Sequence, residues 1–281
     1  MNQIKALYNL TRCAEFQLEE IKNHVPNYVS VQGKPLEVFI RGIFCGVPGN
    51  LESFEGSEDV FAYIGSVNSP PDVMLKNKGD AIEVKKIENL NSTIILNSSL
   101  PKTKLNSADR MINTRARECE EWESRDMLYV VGFVPKDENY VRNLFFFYGD
   151  CFAKKNEFYS EKFGEIKRKV SEVEGISSDG NEYGTLKDVD GLGNGVNMRV
   201  RPINNIGSPW KIFEGYLDSS GTAKFSVLSI MRNSKYLSFP QNDRTLLEGS
   251  DAEIKHITIT DPDNPSDRVD AVLIKYEIAE T

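Results

Sequence analysis

The chain has 281 residues, of which 40% are hydrophobic and 27% charged, and its formal net charge is -8. This is the composition of a globular protein long enough to bury a substantial core, and no apolar run approaches the roughly 18 residues that span a membrane. Cys13, Cys45, Cys119 and Cys151 are far apart and form no CxxC or Cys/His cluster with His24 or His256. Zinc ligation and Cys/His catalysis are therefore disfavoured, and a reduced, cytoplasmic setting is expected. Met1–Lys5 also lacks a signal peptide's apolar core.

Taken in chain order, Asn2–Asn23 reads as an amphipathic helix, with Ile4, Leu7, Leu10, Ala14, Leu18 and Ile21 at helical spacing. Leu36–Phe44 reads as a second helix, closed by Gly46-Val47-Pro48-Gly49. A third is expected from about Glu58 to Ile64. Two strands around a turn at Lys76–Asp80 come next, then Thr93–Leu96 as a buried strand and Arg110–Glu121 as a helix. Met127–Val134 and Asn143–Tyr148 are apolar enough for central strands, and Phe158–Val173 is a basic amphipathic helix. Ser177–Asn197 is rich in Gly, Asp and Ser and reads as a long loop. Strands are expected near Met198–Arg201, Phe225–Ile230, Glu253–Ile259 and Val269–Ile278, the last two flanking the turn cluster Asp261–Pro265. This order suits an α/β (α+β) fold, a mixed central sheet flanked by helices with a β-rich C-terminal part. We read 1–281 as one domain, or as a core over 1–175 and an accessory region over 198–281 joined by the loop 177–197.

The chemistry concentrates in Pro71–Lys86. Asp72 follows two prolines. Eleven residues on come Glu83-Val84-Lys85, an acid and a lysine two apart. Asn77, Gly79 and Asp80 are residue types that supply the positive φ of a tight reversal. Period two puts Glu83 and Lys85 on one strand face, away from Ile82 and Val84. Closing the hairpin then returns Asp72 to that polar face. Two carboxylates can hold a hard divalent cation such as Mg²⁺ while leaving it water ligands. Such a cation acidifies a bound water and offsets phosphodiester charge. An ordinary amphipathic hairpin with a solvated charged face has the same bare pattern.

The sequence also resembles the PD-(D/E)xK nucleases, and among them the NgoPII-type restriction enzymes. The resemblance rests on Phe61–Ser66 leading into Asn68-Ser69-Pro70-Pro71-Asp72, on Asp80–Lys86, on Leu96–Leu105, on Cys119-Glu120-Glu121-Trp122 and on Tyr148-Gly149-Asp150-Cys151. It covers about residues 40 to 155, with an echo near Asn205–Phe213. It implies a type II restriction endonuclease acting on a short palindromic site in double-stranded DNA. Asp72 and Glu83 would be ligands of Mg²⁺, and Lys85 would place the attacking water. It further implies 5′-phosphate and 3′-hydroxyl ends, a homodimer matched to a two-fold DNA site, a GC-rich target of the GGCC type, and a cognate methyltransferase in the same system, with no stable complex implied.

By composition alone Asn97–Lys104 reads as a polar loop; the resemblance implies instead that Asn97, Ser98, Ser99, Lys102 and Lys104 contact DNA, amides and hydroxyls at base edges and lysines at phosphate or guanine. Arg110 is expected in the same cleft. Arg199, Arg201 and Lys211, around Asn204-Asn205, are further candidates. Glu52, Glu55, Glu58 and Asp59 are eligible as a third metal-site acid. Gly191–Gly195 lacks the strand–loop–helix context of a phosphate loop. The acidic balance runs against DNA binding, but its distribution softens this. Residues 76–120 hold nine basic and six acidic side chains, whereas residues 241–281 hold four and ten. A structure-specific nuclease of the same core, and an inactive DNA-binding protein on the same fold, are the competing readings.

Overall fold

Three strands rich in β-branched and aromatic residues form the middle of the molecule. They are β6 (Ser124–Phe133), β7 (Asn143–Tyr148) and β12 (Ala223–Arg232). Leu128, Val130, Val131, Leu144 to Phe147 and Ile230 are fully buried. Runs this continuous, rather than alternating, mark strands covered on both faces. The computed structural model describes residues 1–13, 16–18, 34–47, 57–65, 70–97, 100–109, 112–178, 182–186, 196–217 and 223–279. Within them, the same sheet also holds β1 (Phe61–Ile64), β2 (Val73–Leu75), β3 (Ala81–Ile87), β13 (Glu253–Thr260) and β14 (Arg268–Ala279). Its order is β1-β2-β3-β6-β7-β12-β14-β13. A short β5 (Lys104–Asn106) pairs with the start of β6. β3 runs parallel to β6 and β12 parallel to β7, while the other pairs are antiparallel. This is the expected mixed sheet flanked by helices, and β12 to β14 extend the same sheet that carries the Asp72 hairpin.

Helices cover it. In α1 (Gln3–Thr11), Asn2 caps the first turn by accepting the Lys5 amide at 3.0 Å. α2 (Lys34–Cys45) buries Leu36, Phe39, Ile40, Ile43 and Phe44 and packs on β3. Gly132 of β6 makes this approach possible, because a Cβ there would sit 2.6 Å from Leu36 Cδ2. α7 (Asn233–Ser238) and α8 (Gln241–Glu248) were not expected in a region read as β-rich. Lys235 of α7 donates to Asp80 and Asp126, each at 2.7 Å, and so ties α7 to the start of β3 and to β6.

The structure corrects several expected elements. The first helix stops at Thr11. Residues 16–18 are extended, with Gln17 bridged to Tyr140 and the Val141 amide donating to the Phe16 carbonyl at 2.9 Å. Phe16 stacks on Phe225 and is buried, and that burial overrides helical continuity. Residues 14–15 and 19–33 lie outside the described residues. The third helix is only α3 (Ser57–Val60), because Phe61 and Tyr63 turn to the core with period two and pair with β2. α4 (Thr114–Glu118) is a fragment of the helix expected over Arg110–Glu121. The expected long loop contains β9 (Gly184–Leu186). It joins β8 (Ile176–Ser177) and β10 (Met198–Val200) in a small sheet beside α5 (Asn156–Ser171). Gly191–Gly195 lies outside the described residues.

The hairpin turn also differs in detail. Positive φ falls on Asn77 (59°) and Lys78 (58°), the geometry of a type I′ turn. Gly79 is needed for space instead, since a Cβ there would lie 2.8 Å from Leu75 Cβ. The turn is held from outside. Glu120 accepts the amides of Asn77 and Lys78 at 2.9 and 3.0 Å. Arg125, 2% exposed, donates to the carbonyls of Leu75 (2.6 Å) and Gly79 (2.7 Å) and to Glu120 (2.6 Å). Removing it takes a donor from two carbonyls and the cationic partner from Glu120. Arg125→Ala should therefore destabilise the protein by about 3 kcal/mol, lowering the melting temperature by roughly 5–10 °C. A thermal melt within about 1 °C of the parent would show that the clamp contributes little.

Candidate active site

β2 and β3 pair with Val73 opposite Ile82 and Met74 opposite Ala81. Extending this register by one residue sets Asp72 opposite Glu83, so their side chains emerge on one face. Asp72 is fixed twice. Its carbonyl accepts the Gly65 amide at 2.7 Å, and its Oδ2 accepts the Val84 amide at 2.6 Å. β2 has begun by then only at Val73, so the carboxylate takes the place of a backbone acceptor. Pro70–Pro71, which leads into it, is a cis peptide.

Glu83 and Lys85 share a face as period two predicts, with Ile82 and Val84 buried on the other. Lys85 Nζ donates to Glu83 Oε1 at 2.6 Å. The other oxygen, Glu83 Oε2, is buried and has no hydrogen-bond partner among the described residues. Burial, and then the neighbouring Glu83 charge, push the Asp72 carboxyl well above the usual carboxylate range. Burial works against the Lys85 charge, but Glu83 and Asp72 outweigh it and hold the ammonium above its ordinary value. Two acids drawn together, one with an orphaned oxygen, are a donor set suited to a hard cation. Among the described residues no three His, Cys, Asp or Glu gather closely enough to form a complete cage, so a cation held here would retain water.

Two residues of α2 escaped the sequence reading. Glu37 and Arg41 lie one turn apart on a helix whose other residues after Lys34 carry no charge. Glu37 interacts with the charges of Lys85, Arg41 and Glu83, and burial raises its carboxyl. Arg41 is lowered by burial and interacts with Glu37 and Asp72. The signal was present in a Glu–Arg pair four apart inside a core-facing helix. Glu58 and Asp59, considered for such a role, are exposed on α3; Glu52 and Glu55 lie outside the described residues.

The expected DNA-contacting residues are dispersed. Lys102 is paired with Asp109 at 2.7 Å and Lys104 with Asp126 at 3.5 Å. The Lys102 amide donates to the Tyr129 hydroxyl at 2.9 Å, and Tyr129 neighbours Glu83 in the β3–β6 register. Lys102 is thus near the acids, whereas Lys104 is near the Asp80–Asp126–Lys235 cluster. Asn97 ends β4 (Ile94–Asn97). Ser98, Ser99 and Arg110 lie outside the described residues. Arg199 and Arg201 pair with Glu182.

Residues 1–263 match the sequence profile of the NgoPII restriction endonuclease family. The chain belongs to the NgoPII restriction endonuclease family. It is 33% identical over 282 residues to the type II restriction enzyme NgoPII of Neisseria gonorrhoeae, an alignment covering 99% of this chain and 100% of that protein. As a member of the NgoPII family it is a site-specific deoxyribonuclease. No solved structure matches it. The family match extends past β13 to residue 263, well beyond the blocks at 40 to 155 that first carried the resemblance. No helix among the described residues is long and apolar enough to cross a membrane.

Proposed function

We propose that this protein is a type II restriction endonuclease of PD-(D/E)xK type. It would act in the cytoplasm as a homodimer on a short palindromic site in double-stranded DNA, of the GGCC kind, leaving 5′-phosphate ends. A cognate methyltransferase in the same system would protect the host site, with no stable complex between the two implied. The observation that carries the reading is the convergence of Asp72, Glu83 and Lys85 on one sheet face, with Glu83 Oε2 left without a hydrogen-bond partner among the described residues. Asp72 and Glu83 are the residues that would hold Mg²⁺. When bound, that ion supplies an acidified water and offsets charge on the scissile phosphate. Lys85, already anchored on Glu83, orients the attacking water and adds a fixed positive charge beside the phosphate. Tyr129 lies beside Glu83 in the β3–β6 register, and its hydroxyl accepts the Lys102 amide. We read the chain as a single nuclease unit, with β12 to β14 extending the catalytic sheet.

Incubation with plasmid and Mg²⁺, followed by sequencing of fragment ends, tests this. Discrete fragments with one common end sequence are expected. Smears, junction-only cutting or no cleavage would overturn it.

Lys102 and Lys104 separate two kinds of DNA contact. For each Ala variant, a phosphate contact predicts a uniform loss across sequences and a salt slope lower by about one unit. A guanine contact predicts instead a loss of about 1–3 kcal/mol in discrimination at one base position. Fluorescence titration at several salt concentrations reads both. Unchanged binding in both variants would leave the two lysines as partners of Asp109 and Asp126 alone.

A further inference from the structure

β4 does not join the central sheet. It pairs antiparallel with β11 (Ile203–Ile206) to make a separate two-stranded ribbon, with Asn97 opposite Ile203, Leu96 opposite Asn204, Ile95 opposite Asn205 and Ile94 opposite Ile206. Two segments more than a hundred residues apart in the chain are thus one element. One face is anchored: Ile94, Leu96 and Ile206 are buried. The other face carries positions 95, 203 and 205. There Ile95 is 55% exposed, Ile203 is 66% exposed, and Asn205 is exposed. No residue of either strand is charged.

The ribbon is fastened to the catalytic strand at both ends of β4. β3 leads into it through residues 88–93. Just beyond β11, the buried Ser208 donates from Oγ to the Leu90 carbonyl in that connection. Trp210, in the short α6 (Pro209–Ile212), and Phe213 follow and pack on Phe145 with ring centroids 5.4 and 5.6 Å apart, so the base of the ribbon is held in the core. After β4 the chain returns to the Lys102–Tyr129 hydrogen bond beside Glu83.

We propose that the β4–β11 ribbon enters the DNA major groove, and that Asn205, with Ile95 and Ile203 around it, contacts base edges. This rests on the nuclease reading of the Asp72–Glu83–Lys85 site. A two-stranded ribbon fits the groove, which is about 12 Å wide. Phosphate contacts call for Lys and Arg. An exposed face of amide and aliphatic groups instead complements base edges, the carboxamide as donor and acceptor and the isoleucines against methyl groups and ring carbons. Its attachment to the catalytic strand would fix the distance between the base that is read and the bond that is cut.

The test is equilibrium binding in Ca²⁺ to a duplex panel in which each base pair of the wild-type cleavage site is replaced in turn. Asn205→Ala should lose roughly 10- to 100-fold of discrimination at one base pair per half-site, with other positions and the salt slope unchanged. Ile203→Thr is the second variant. Its exposed position should leave the melting temperature unaltered, and it carries the test if Asn205→Ala fails to fold. A uniform loss across the panel or an unaltered profile would overturn the proposal. So would loss of self-association with discrimination intact, which would make the ribbon a subunit contact. A wild type without sequence preference would sink the restriction reading and the ribbon together. A selective wild type with unaltered variants would sink the ribbon alone.

Discussion

Asp72→Ala and Glu83→Ala should each abolish Mg²⁺-dependent cleavage while leaving a folded protein. Neither side chain fills the core; each supplies oxygen to the polar face of the hairpin. Asp72 does carry a structural duty, because its Oδ2 accepts the Val84 amide at 2.6 Å. Losing that acceptor costs about 1 kcal/mol, offset in part by relief of the repulsion between Asp72 and Glu83 that raises the Asp72 carboxyl. Asp72→Asn separates the two duties. It keeps an acceptor for Val84 and removes the charge, so it should fold as the parent does and still fail to cut. A binding readout independent of activity is available. A divalent cation at a hundred times its Kd stabilises the folded state by about 2.7 kcal/mol, so wild-type protein should melt higher with Mg²⁺ or Ca²⁺. Asp72→Asn should show no such rise. Near wild-type cleavage in either Ala variant, or an undiminished metal-dependent shift in Asp72→Asn, would mean that the cation is held elsewhere.

Lys85→Ala is expected to lower single-turnover cleavage of bound DNA by a hundredfold or more, on the order of the 3–4 kcal/mol that one preorganised electrostatic group supplies. Lys85 Nζ lies 2.6 Å from Glu83 Oε1 and both side chains are largely buried, at 29% and 12% exposure. The charge is therefore poorly screened. Lys86 is the internal control. It projects from the opposite face of β3 and pairs with the half-exposed Glu88 at 3.3 Å, so Lys86→Ala should be mild. Saturating metal in both assays keeps any effect on cation affinity out of the comparison. Equal losses at 85 and 86 would mean that the lysines act only as general positive charge.

The Asp72 hairpin was legible in the sequence because the signals that place its strands and turn are local, although distant Glu120 and Arg125 hold the turn in place. A proline pair, a turn tract and a period-two strand all lie between Pro70 and Ile87, and alternation alone assigns Glu83 and Lys85 to one face. β7 was legible to the residue for a similar reason, since an unbroken run such as Leu144–Phe147 has few stable homes outside a buried strand. Local rules failed where distant segments competed for the same residues. Phe16 left helical spacing to stack on Phe225, and Phe61 to Ile64 left a helix to pair with β2. Lys78 took positive φ, which a lysine seldom adopts, in a turn whose amides and carbonyls are held by Glu120 and Arg125. Glu37 and Arg41 reached the acids only because α2 packs on β3, with Gly132 giving Leu36 room. Asn205 came beside Ile95 only through the β4–β11 pairing. The sequence by itself determined which residues could do chemistry on the hairpin, because hairpin geometry depends on neighbours in the chain. The tertiary structure decided what surrounds that chemistry, because burial, charge coupling and strand partnership depend on residues that meet only after the chain has folded.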